Sequence, residues 1–239
     1  QALCGGDQAT RSGQPTPAEH FFSLPMAIYL DSASVSDAQK AAALCVVRGI
    51  TTNPTLLAQE SDPPEAVIPA LCQVIEDGLV FYQLNRSSLR AREGEAHRFL
   101  ALQPGRVGLK IPCTTEDLAL LARLSAHGIV CAATAVFSAH QAYLACEAGA
   151  RYVIPYVNRA SSEGISGLTL VRELAEVCQA TGGNATVLAA SLKTPEQAVA
   201  AVLAGAADIT VPLEQLVALG EHPLSRQAVQ EFAKAGKEA

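Results

Sequence analysis

Five lysines occur in the 239 residues, at positions 40, 110, 193, 234 and 237, and only Lys110 lies inside an apolar, strand-like run, GLKIPC (108–113). An amine held in apolar surroundings is hard to protonate, because the ammonium is the form that loses most on leaving water. The neutral amine is a nucleophile that can condense with a ketone or aldehyde, and the iminium so formed draws electrons from a neighbouring C–C bond. Lys193, in SLKTP, is the one rival, and its place after a strand suits a phosphate or solvent contact better. Schiff-base chemistry also needs proton transfer and a managed water. Asp31 and Tyr156 can serve as acid/base groups, and Gln83 and Thr134 can hold a water. Asn53 in TTNP and Ser191 closing VLAAS add two further polar ends. Each residue alone has an ordinary alternative: Asp31 as a helix cap, Asn53 as a turn residue before Pro54, Arg159 as a surface ion-pair partner, the others as hydrogen-bonded strand ends. The repetition of polar ends on successive apolar runs favours one shared site.

Placing those ends together requires elements that converge. Short apolar runs alternate with helical patterns along the chain. Strands are predicted at 26–31, at GITT (49–52), and at 79–85, 106–112, 129–134, 151–157, 185–191 and 207–212. The intervening helices run over 35–47, 63–76, to about 101, 115–128, 138–150, 166–181 and 195–204, with more after 212. Alternating strand–helix units require a parallel sheet. Eight of them in this length, with no Gly-rich phosphate loop after an early strand, predict a (β/α)8 TIM barrel with an extra C-terminal helix. Alternation turns Val107, Leu109 and Ile111 toward the helices and Gly108 and Lys110 into the barrel. Asp31 and Gln83 also face inward.

Composition excludes other classes. The net charge of −6 and 5% aromatic content, without tryptophan, argue against a nucleic-acid partner. No apolar run reaches membrane-spanning length. Seven cysteines at 4, 45, 72, 113, 131, 146 and 178 lack CxxC spacing and mostly sit in apolar segments, which suits a reduced, cytoplasmic protein. Residues 1–24 lack the apolar core of a signal peptide and are expected to form a mobile tail ahead of a single domain, 25–239. Metal-assisted cleavage would call for a His/carboxylate cluster, but histidines 20, 97, 127, 140 and 222 end no strand, so no metal is expected.

Six segments, YLDSASV, GITTNPTLLA, GLKIPCTTEDL, ATAVFSAHQAYLACEAGARYVIPYVNR, LAASLKTPEQA and ITVPLEQL, together resemble the small transaldolase family, most closely its fructose-6-phosphate aldolase branch. The resemblance spans about Ala27 to Phe232. It implies a class I aldolase without cofactor, acting on a sugar phosphate and a dihydroxyacetone-type donor. Lys110 would form the Schiff base, and Asp31 and Asn53 would contact the donor's hydroxyls. Gln83, Thr134 and Tyr156 would surround the catalytic water, and Arg159 and Ser191 would hold the phosphate. The resemblance also implies a homodecamer whose C-terminal helix reaches a neighbour. Transaldolases of the family carry Glu at the position of Gln83 and Phe at that of Tyr156, so both residues here follow the aldolase pattern, with transaldolase as the alternative activity. A third reading is a sugar-phosphate-binding barrel without turnover. The sequence departs from the branch at Ile154, usually a small alanine beside the donor pocket, at the Asp-Ser of its first motif, and at Phe137, which replaces a phenol.

Overall fold

Eight short strands alternate an inward with an outward side chain, and this alternation builds two separate apolar layers. The computed structural model describes residues 27–182 and 184–236; the expected tail, 1–24, lies outside the described residues. The strands are β1 (Ile28–Asp31), β2 (Val47–Thr51), β3 (Leu79–Gln83), β4 (Val107–Pro112), β5 (Cys131–Val136), β6 (Tyr152–Pro155), β7 (Thr186–Ala189) and β8 (Asp208–Val211). They close in chain order into one parallel barrel, β8 pairing with β1. The helices are α1 (Val35–Ala42), α2 (Pro54–Leu57), α3 (Pro64–Val74), α4 (Leu89–Leu102), α5 (Thr115–Ala126), α6 (Ala139–Glu147), α7 (Val157–Ser162), α8 (Gly167–Ala180), α9 (Pro195–Leu203), α10 (Leu213–Leu219) and α11 (Pro223–Ala235). This is the expected (β/α)8 barrel with a C-terminal helix.

Leu30, Tyr82, Leu84, Leu109 and Ile111 join the layer between sheet and helices. Tyr29, Leu79, Phe81, Ala132, Ile154, Leu188 and Ala190 fill the interior. Bulky rings fit there only because glycine stands opposite. A Cβ on Gly108 would lie 2.5 Å from Phe81 Cε1, and one on Gly49 would lie 2.5 Å from Tyr29 Cε1 and 2.6 Å from the Leu79 carbonyl oxygen.

Helix starts follow side-chain caps. Ser34, Ser88, Thr114, Ser138, Ser166 and Thr194 each accept from a backbone N–H three residues on, which satisfies a donor that the first turn cannot. Several element boundaries differ from the sequence expectation, and the short helix α2 is unpredicted. The helix predicted over 35–47 stops at Ala42, because Cys45 takes a left-handed turn (φ 57°) that lets Val47 open β2. The strand predicted over 151–157 ends at Pro155, and Tyr156 starts the unpredicted helix α7.

Candidate active site

Lys110 sits on the inward face of β4 and is only 3% exposed. Its Nζ donates to the backbone carbonyl of Thr52, 3.0 Å away, at the end of β2. Burial holds its pKa below the usual lysine value; the Asp31 carboxylate pulls weakly the other way. The other described lysines, 40, 193 and 234, are exposed. The rival Lys193 therefore faces solvent.

Around Lys110 the strand ends bring polar groups inward. Gln83 pairs with Lys110 in the β3–β4 register, so their inward side chains are neighbours across one strand spacing. Gln83 Oε1 is buried and has no hydrogen-bond partner among the described residues. Such an acceptor calls for a donor. On β1, Asp31 Oδ1 accepts from Thr51 Oγ1 at 2.9 Å, and Thr51 Oγ1 lies 2.6 Å from Thr210 Oγ1 on β8. This chain fixes the orientation of Asp31. Thr210 is a member that the sequence reading passed over; in DITV it is the inward residue between outward Ile209 and Val211.

On the other side, Thr134 Oγ1 and the Tyr156 hydroxyl are 3.1 Å apart. The edge of Phe137 meets the Tyr156 ring at 5.9 Å. The exposed Arg159 guanidinium stands 4.9 Å above the same ring. Ser191 accepts through its carbonyl from Asn158 N at 3.0 Å, tying the end of β7 to α7 and so to Arg159. Asn53 caps α2, its Oδ1 accepting from Leu56 N at 3.0 Å. Asn53 and Ser191 thus stand at the rim and make no hydrogen bond to Lys110.

Among the described residues, two of the three non-glycine residues with positive φ, Ala135 and Ser191 (both 60°), lie at this mouth. Ala135 forms the irregularity in the β5–β6 register just after Thr134. Strained backbone of this kind persists where packing over-determines it, often beside functional groups. Glu95 on α4 fixes the loop after Gln83. It is 3% exposed and accepts from the Tyr82 hydroxyl at 2.8 Å, Asn85 N at 3.1 Å and Arg86 N at 3.2 Å.

A large concavity, about 1150 Å³, opens at the opposite end of the barrel, lined by strand starts such as Ala27, Val47, Tyr152 and Asp208. It contains none of the residues around Lys110. Among the described residues, no group of three His, Cys, Asp or Glu is placed to hold a metal, and no helix is long and apolar enough to cross a membrane.

A closed parallel barrel with polar residues gathered at the carboxyl ends of its strands is the framework of a barrel enzyme. Residues 28–239 match the family described as transaldolase/fructose-6-phosphate aldolase, and the chain belongs to that family. The family is enzymatic and includes both activities of its name.

Proposed function

We propose that the protein is a class I aldolase that cleaves fructose 6-phosphate to dihydroxyacetone and glyceraldehyde 3-phosphate, and runs the reverse condensation. The observation that carries this reading is Lys110: an amine buried in the barrel mouth, bound to a carbonyl and forming no salt bridge among the described residues. In this mechanism the neutral amine attacks the keto carbon of the sugar phosphate, and loss of water gives the iminium. Breaking the C3–C4 bond as the C4 hydroxyl loses its proton releases glyceraldehyde 3-phosphate and leaves an enamine. Protonation of the enamine and hydrolysis of the iminium free dihydroxyacetone and restore Lys110.

Tyr156 serves as acid/base group through a water shared with Thr134 and Gln83. The 3.1 Å Thr134–Tyr156 contact supports that assignment, as does the buried, partnerless Gln83 Oε1. Asp31 and Asn53 bind donor hydroxyls. Arg159 and Ser191 take the phosphate, a reading favoured by their link through Asn158. No cofactor takes part. The reading includes a cytoplasmic homo-oligomer, a decamer by resemblance. The exposed Leu224, Val229 and Phe232 on α11 supply apolar surface for its contacts.

The test is borohydride reduction with fructose 6-phosphate, followed by product analysis with and without erythrose 4-phosphate. Adduct mass on Lys110 and free dihydroxyacetone are expected. Sedoheptulose 7-phosphate formed far faster than free dihydroxyacetone would move the protein to the transaldolases, and no adduct would leave a binding barrel.

A further inference from the structure

Helices α6 and α8 bring Cys146 Sγ and Cys178 Sγ to within 3.7 Å of each other. We infer that this pair is a reversible oxidation site, which takes a hydroperoxide as oxidant and closes to a disulfide tying α6 to α8. A disulfide needs ~2.05 Å between sulfurs, so one side chain must swing about 1.7 Å closer. Cys146 is only half-buried and can make that rotation. It borders the large concavity at the N-terminal end of the barrel, and Cys178 borders a second one, about 440 Å³, beside α9. An oxidant therefore has a route to the half-buried Cys146.

The charge state suits the chemistry. The hydrogen bond between the two sulfurs draws the Cys146 thiol down to about 6, against the opposing effect of burial. The same hydrogen bond, with burial, raises Cys178, which keeps its proton. The anion costs less on Cys146, the less buried of the two. By contrast, burial pushes Cys72 and Cys113 up to about 11 and Cys131 up to about 12. Those thiols are poor nucleophiles.

The step balances. The Cys146 thiolate attacks the peroxide oxygen; an S–O bond forms, the O–O bond breaks, and the departing oxygen takes up a proton as water or an alcohol. The Cys178 sulfur then attacks Cys146, the S–S bond forms, and the sulfenic hydroxyl leaves as water with the Cys178 proton. The two sulfurs lose two electrons and the peroxide gains them.

The test treats the full-length protein with hydrogen peroxide, blocks remaining thiols and digests with trypsin. The expected product joins peptide 124–151 to peptide 173–193, disappears on dithiothreitol treatment and is absent from Cys146→Ser. The closed loop should raise the melting temperature of the oxidised protein by roughly 5–10 °C, with no rise in Cys146→Ser or in Cys178→Ala. A linked peptide that persists in Cys146→Ser, Cys146 accumulating as unlinked sulfinic acid, or an oxidised protein no more stable than the reduced one would each overturn the assignment.

Discussion

The Nζ of Lys110, on β4, is anchored to the carbonyl oxygen of Thr52, two strands away, at 3.0 Å. The link crosses the barrel mouth and presents the amine to the interior without neutralising it by a carboxylate. Burial therefore decides its protonation, and a pH dependence follows. The unfolded chain keeps the lysine proton up to its ordinary pKa of 10.5, whereas the folded protein releases it at lower pH. Between those two values the unfolded state binds more protons, so stability rises with pH. The penalty is complete below the folded-state pKa and gone above 10.5. Lys110→Met removes it. The variant should be more stable than the parent at low pH, by a margin that shrinks as pH approaches 10.5, in denaturant titrations at several pH values. Its aldol cleavage should fall by at least ~10³-fold, a loss of ~4 kcal/mol or more of transition-state stabilisation. Trapping of the parent by borohydride should accelerate with pH as the amine is freed.

Tyr156→Phe separates proton transfer from carbon–nitrogen chemistry. The phenol lies 3.1 Å from Thr134 Oγ1 and under Arg159. Phenylalanine keeps the ring, its edge contact with Phe137 and its place over the barrel. Release of dihydroxyacetone should drop ~10²-fold, the usual range for a positioned acid/base group, while the Lys110 adduct still forms. Single-turnover trapping alongside steady-state assays reads both quantities. An adduct that fails to form in this variant would place Tyr156 earlier in the reaction.

The sequence made the barrel legible because the strands follow a two-residue period and six of the helices announce their start with a Ser or Thr. In GLKIP that period alone turned Lys110 inward. The period also carried Thr210, but its value depends on β8 closing against β1 and on Thr51 bridging to Asp31, a relation that only the closed sheet supplies. The Thr52 carbonyl is a backbone group and leaves no mark in residue type. α7 was hidden because Tyr156 bridges to Ala190 as a strand would and caps the helix without a side-chain hydrogen bond. Glu95 was hidden for a different reason: one buried carboxylate in an Arg/Glu-rich helix looks like its solvated neighbours.

That carboxylate carries a further prediction. Glu95→Ala leaves Asn85 N and Arg86 N without their acceptor and the buried Tyr82 hydroxyl without a partner. Losing three hydrogen bonds to a carboxylate, one of them from a buried hydroxyl, should cost ~2–4 kcal/mol, seen as a melting temperature lower by roughly 5–15 °C. Because the freed loop follows Gln83 directly, kcat should fall below the parent even at temperatures where the variant is folded. A variant with parental stability would show that water replaces the carboxylate fully.

Ile154 tests what limits the donor. It is fully buried in the barrel interior, pairs in register with Thr134, and lies two residues before Tyr156 on the same inward face. Its branched side chain fills the layer beneath the residues assigned to the catalytic water. Ile154→Ala should cost ~2–4 kcal/mol through lost packing and the cavity it leaves. The same cavity lies below the mouth, on the side where the donor's carbon chain would rest in the proposed reaction. Removing three carbons there should raise kcat/KM for dihydroxyacetone relative to the smaller glycolaldehyde by roughly tenfold or more, the discrimination that a single carbon exerts in an apolar pocket. Competition between the two donors for one acceptor aldehyde measures the ratio directly, independent of how much protein remains folded. An unchanged ratio, with the stability loss present, would mean that Ile154 supports the barrel and stays clear of the donor.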